Sequence, residues 1–160
     1  MIFILYAALA AIGAVLHSMM RKTPLQETLL VYILVICVGV SGVLGFYGHT
    51  FRASLEAHYI GWAPGSPFQF EVACANLGMG ICAILCIWFR RDFRLATVIA
   101  YSVFALGAAY GHIVEITRNH DYAPGNAGPV LYYDMLVPAA LIVLTVISWR
   151  KSGHGVSPRQ

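Results

Sequence analysis

Five apolar stretches, each about 20 residues long and bounded by polar or basic clusters, set the terms on which this chain can fold: about 2–20, 28–48, 68–89, 95–117 and 130–149. A helix of about 20 residues crosses the ~30 Å hydrocarbon core of a bilayer. In lipid every backbone N–H and C=O must find its partner inside the structure, which a helix provides. The expected fold is therefore all-α, a polytopic membrane protein with about five transmembrane helices. Composition agrees, because only 11% of the residues are charged, against about 25% in soluble domains. No connection is long enough for a soluble domain, so 1–150 reads as a single transmembrane bundle. The tail "SGHGVSPRQ" at 152–160 reads as a disordered cytoplasmic extension.

Residues 1–20 lack a basic leader region and a small-residue cleavage site, and read as a retained helix. With five spans, Arg21, Lys22, Arg90, Arg91, Arg94, Arg150, Lys151 and Arg159 fall on one side, and Arg52 and Arg118 on the other. The positive-inside rule then places the C-terminus in the cytoplasm and the N-terminus outside, in a cell inner (plasma) membrane. Trp88 and Trp149 suit the cytoplasmic aromatic belt. The net charge of +3 follows from this topology and forms no basic stripe of the kind that binds nucleic acid. Cys37, Cys74, Cys82 and Cys86 all lie within spans, so no loop cysteine offers a structural bridge.

The chain aligns on itself. Tyr47-Gly48-His49 recurs as Tyr110-Gly111-His112, His58 as His120, Ala63-Pro64-Gly65 as Ala123-Pro124-Gly125, Glu71 as Asp134, and the Trp88 cluster as Trp149-Arg150-Lys151. Two parallel hairpins follow, repeat 1 at about 28–91 and repeat 2 at about 95–151, and parallel repeats are related by an axis along the membrane normal. Helices 2–5 are thus expected to form a pseudo-twofold four-helix bundle with helix 1 packed outside it. Gly107 with Gly111, and Ser41 with Gly45, offer small-residue faces for close helix approach. Pro138 is expected to bend the last span or mark its first turn.

Superposing the repeats brings His49, His112, Glu71 and Asp134 to similar depth near the outer surface, and Glu115 shares a helix face with His112. His-x-x-Glu on one helix with carboxylates from facing helices is a pattern that holds a divalent metal, with iron, manganese or zinc favoured by such a shell. His112, Glu115, Glu71, Asp134 and His49 are therefore the candidate metal ligands. The same groups could instead pair with Arg52 and Arg118 in a structural network, or form part of a proton or ion pathway. Asn76 could extend the site inward or bond a neighbouring helix. No charged residue occurs in 77–85, 98–111 or 136–148, which counts against a transporter with a midplane site.

No nucleophile elbow, phosphate loop, zincin helix or haem-attachment motif is present, so no catalytic residue is assigned. In size, span number and the cluster "YGHIVEITRNHDYAPGNAGP", the chain resembles a small uncharacterised prokaryotic integral-membrane family and, more distantly, DoxX-type bundles. That resemblance implies a compact helical bundle in a membrane and transfers no site residue. The functional expectation is a His/carboxylate site at the extracytoplasmic face that binds a divalent metal or small ligand. If it is catalytic, metal-activated water or oxygen would act on a lipid-phase substrate. The alternatives are a noncatalytic structural or accessory subunit, in a homo-oligomer or with partner membrane subunits, and a transporter.

Overall fold

The computed structural model describes residues 2–151, all of them in helices, turns and short connections, with no strand among them. The segment expected to be a disordered tail lies outside the described residues. Five helices are long and apolar enough to cross a membrane: α1 (Ile2–Arg21), α2 (Leu25–Phe51), α4 (Pro67–Leu85), α5 (Asp92–Asn119) and α6 (Pro129–Lys151). A short α3 (Ala53–Ile60) stands in the connection after α2. The five long helices are compatible with a multi-pass membrane protein. Their outward faces carry large apolar side chains, with Val103 72% and Leu136 67% exposed, as contact with lipid requires.

Local chemistry sets the helix ends. Pro67 and Pro129 begin α4 and α6, where a missing N–H costs nothing and the fixed φ is already helical. α3 stops at Gly61 and α5 at His120, both in the left-handed conformation. Pro138 lies inside α6, as its tenth residue, rather than at its first turn.

Alternate helices run in opposite directions, so the molecule has two ends. One carries the 52–66 and 120–128 connections, and we call it the loop end. The other carries residues 22–24 and 86–91, and we call it the arginine end. α2 packs along α4, α5 along α6, and α1 against α2 and the edge of α6. α2 also touches α6, and α4 touches α5. Leu34, Cys37, Val38, Tyr101, Val137 and Leu141 fill the centre. α1 buries Tyr6, Ala10 and Ala14 and is otherwise peripheral.

In lipid, apolar burial does not drive helices together. Close van der Waals contact and interhelical hydrogen bonds do. Backbone meets backbone most closely between α2 and α4, where a Cβ on Gly42 would lie 2.6 Å from the Asn76 carbonyl oxygen and one on Gly80 3.0 Å from the Gly39 carbonyl oxygen. The Gly107–Gly111 face, expected to bring helices together, has no atom within 4 Å of a Cβ added at either glycine. Gly45 faces the Asn76 side chain.

The middle of α2, Ile33–Val40, is π-helical. There the Ser41 N–H reaches back to the Ile36 and Val38 carbonyls and leaves the Cys37 carbonyl free of its usual α-helical partner. Two hydroxyls take that oxygen instead: Ser41 from the same helix and Tyr133 of α6, donating at 2.6 Å. The widened turn thus ties α2 to α6 in the bundle interior, where a free carbonyl would be costly.

Candidate functional site

The site lies at the loop end, where α5 and α6 meet beneath the 120–128 connection. The α-helical part of α5 gives way at Glu115 to a π-helical turn, Glu115–Asn119, ended by His120 at φ +54°. The chain then folds back so that Asn126 drops between the helices and is fully buried, at 0% exposure. Its amide Nδ2 donates to the Asp121 carbonyl at 2.8 Å, which fixes its orientation and presents Oδ1 to His112. His112 Nδ1 lies 2.6 Å from that oxygen. An amide oxygen can only accept, so Nδ1 carries the proton and donates. The other ring nitrogen, Nε2, faces Asp134 Oδ2 of α6 at 3.6 Å.

The loop that carries Asn126 is itself anchored. The Gly125 N–H donates to the Tyr59 carbonyl of α3 at 2.9 Å, and a Cβ at Gly125 would stand 2.8 Å from that same oxygen. The Asp121 carboxylate accepts the Ala123 N–H at 2.9 Å and lies against Gly61 at the end of α3. Both loops are joined into one cap through backbone contacts that only glycine allows.

Of the five candidate ligands, the structure brings together His112 and Asp134. His49 faces a different neighbour: Gln69 Nε2 donates to its Nδ1 at 3.4 Å and to the Ala53 carbonyl at 2.7 Å, while the Trp62 ring stacks on the imidazole at 6.1 Å between centroids. Gln69 is 3% exposed. Glu71, two residues further along α4, is turned by about 200° and is exposed. Glu115 accepts a hydrogen bond from Asn119 Nδ2 at 2.6 Å, so its carboxylate is engaged along its own helix. Among the described residues no group of three or more His, Cys, Asp or Glu side chains gathers as metal ligands would.

The guanidinium network also fails to form. Arg52 and Arg118 are exposed, and among the described residues His112–Asp134 is the one pairing of a basic with an acidic side chain within 4.0 Å. Reading the sequence did not single out Asn126, Gln69, Trp62 or Tyr59 as partners. An uncharged amide in "APGNAGP" carries one usable signal: it is the side chain best able to bond two ways in a glycine-rich loop.

A family model described as "Family of unknown function (DUF6790)" matches residues 1–154. No curated protein and no solved structure matches the chain. The chain belongs to the DUF6790 family.

Proposed function

From membership in a family with no assigned activity, we propose on the geometry of this chain that it is a noncatalytic scaffold or accessory subunit of a membrane assembly, presenting a rigid polar cap at the loop end. The observation that carries this reading is that the polar groups of the site are satisfied from within. Asn126 bonds His112 and Asp121, Asp134 stands 3.6 Å from the other ring nitrogen of His112 as its charge partner, and the loop is fastened to α3. A buried amide bonded on both sides, as Asn126 is, holds the loop in one conformation. The centre filled by Leu34, Val38, Tyr101 and Leu141 supports a static bundle over a conducting path. The excess of Arg and Lys at the opposite end supports an extracytoplasmic cap and a cytoplasmic C-terminus. The paired Tyr-Gly-His and Ala-Pro-Gly landmarks support an origin of α2–α6 by duplication of a hairpin.

One observation favours a second reading, a divalent cation at the same place. The His112–Asp134 separation of 3.6 Å is long for a direct hydrogen bond, whereas ligand bonds of about 2.1 Å to a shared ion would give that separation at an open tetrahedral angle. An imidazole whose Nδ1–H is held by an amide oxygen is also oriented as ligating histidines are. Iron, manganese or zinc would suit one nitrogen and one carboxylate, completed by water.

Protein purified without chelator separates the two. The scaffold reading expects no stoichiometric metal by elemental analysis and an unchanged Tm on adding EDTA, while Asp134→Asn lowers Tm because His112 loses its acidic partner. Stoichiometric iron, manganese or zinc that disappears in His112→Gln, together with a fall in Tm on chelation, establishes the cation reading instead.

A further inference from the structure

At the arginine end, α2, the turn before α5, and the end of α6 enclose a cavity of about 290 Å³, near the lower limit of ligand pockets, about 300 Å³. Arg90, Arg91 and Arg94 line it together with Glu27, Thr145 and Trp149. Membrane topology accounts for basic residues in this turn but not for their gathering around a hollow. Three guanidinium groups there meet one carboxylate, and among the described residues none of the three forms an ion pair with an acidic side chain. Arg94 Nε donates to the Cys86 carbonyl at 3.0 Å, which fixes the side chain and leaves four of its five N–H groups for a ligand. Arg91 holds φ +49°, an uncommon conformation for a residue with a side chain.

A second hollow adjoins the cavity. Leu95 and Thr145 line it and also line an apolar groove of about 350 Å³ between α5 and α6. The groove continues past Val98 and Val103 to Leu106 on one side, with Ile142 and Val146 on the other. From Leu95 to Leu106 it follows the helix for ~16 Å at 1.5 Å per residue. A cationic pocket at the head of an apolar trough has the shape and the charge order of one molecular class.

We propose that this is a binding site for an anionic phospholipid. Its phosphate sits among Arg90, Arg91 and Arg94, and one acyl chain lies in the groove between α5 and α6. Guanidinium groups match phosphate oxygens in bidentate pairs, and basic pockets between membrane helices are where anionic headgroups bind. Trp149 at the pocket rim suits the interfacial level at which a headgroup rests. The shared wall of pocket and groove, Leu95 and Thr145, points to a lipid over a free phosphate ion, which would use only the pocket.

The test uses the whole chain in a neutral detergent. Phosphatidylglycerol added to wild type is expected to raise Tm by about 5 °C, as mass action requires of a ligand held only by the folded state, and phosphatidylcholine much less. Arg90→Gln/Arg91→Gln, two exposed positions, should lose most of the rise, as should Val146→Trp, which fills the groove from its exposed side. Arg150→Gln/Lys151→Gln removes the same charge from the same end outside the pocket and should keep it. The proposal is overturned if the Arg90/Arg91 variant responds like wild type, if the Arg150/Lys151 variant loses the effect equally, or if inorganic phosphate alone reproduces the rise.

Discussion

Replacing Asn126 with leucine lowers the stability of the folded chain by about 2 kcal/mol, the cost of leaving a buried donor without its acceptor. The leucine fills the same space and removes both bonds, so the His112 Nδ1–H points at hydrocarbon and the Asp121 carbonyl loses its donor. Asn126 is fully buried, which keeps water from substituting at His112. The loss should appear as a Tm lower by several degrees in detergent and as faster proteolysis within 120–128, since the loop then keeps only its ties to α3, the Gly125–Tyr59 bond and the Asp121–Gly61 contact. A variant with wild-type Tm and an equally resistant loop would show that the backbone anchors suffice, and the scaffold reading would lose its central support.

A comparable or larger effect is expected from Gly42→Val. The added Cβ alone would come within 2.6 Å of the Asn76 carbonyl oxygen and 3.1 Å of the Gly80 Cα. Both are backbone atoms, which cannot swing aside. α2 and α4 must separate, and overpacking of this kind costs about 1–3 kcal/mol or more. Separation also strips contact from Gly39 and Ile84, which meet at the same crossing. Gly107→Val is the matched control: nothing lies within 4 Å of its Cβ, so its effect should stay within about 0.5 kcal/mol. Comparing the two by thermal unfolding tests where the bundle is held. Equal tolerance at both positions would mean that the α2–α4 crossing contributes little.

The five long helices were legible because each carries an apolar run punctuated by charge, and the expected ends fall within a few residues of the observed ones. The exceptions have physical causes. The third span was expected to continue to 89, but α4 stops at Leu85 because an apolar Ile87-Trp88-Phe89 can turn as readily as it can spiral at a membrane interface. α3 was passed over as loop because its eight residues are too few to cross a membrane and lie between Arg52 and a Gly-Pro-rich run, although Gly61 supplies a plain helix stop. Small-residue contacts were expected at Ser41/Gly45 and Gly107/Gly111: Gly45 does meet Asn76 of α4, whereas nothing lies within 4 Å of a Cβ at Gly107 or Gly111. The tightest contact falls on Gly39, Gly42 and Gly80, where the backbones of α2 and α4 meet.

At the site, self-alignment of the sequence pointed to His112 and Asp134, which the structure places together. The same alignment matched Glu71 to Asp134, but the residue of α4 that reaches His49 is Gln69, and a displacement of two residues turns a side chain to the opposite face. Asn126 and Tyr59 are partners only because two distant loops fold against each other. No local spacing records that.

The π-helical stretch of α2 has an evolutionary corollary. A ring closed from i to i+5 encloses one residue more than an α turn, so Ile33–Val40 holds slack in the chain. Loss of a single residue there could be absorbed by closing one ring as α-helix, with Leu25–Tyr32 and Ser41–Phe51 keeping their bearings toward their neighbours. The same loss in the middle of Pro67–Leu85, which is α-helical throughout, would rotate everything beyond it by about 100° and pull either Gln69 or Gly80 off α2. Length variation among relatives should therefore concentrate in the π segments, in mid-α2 and at the end of α5, and spare the uninterrupted α4.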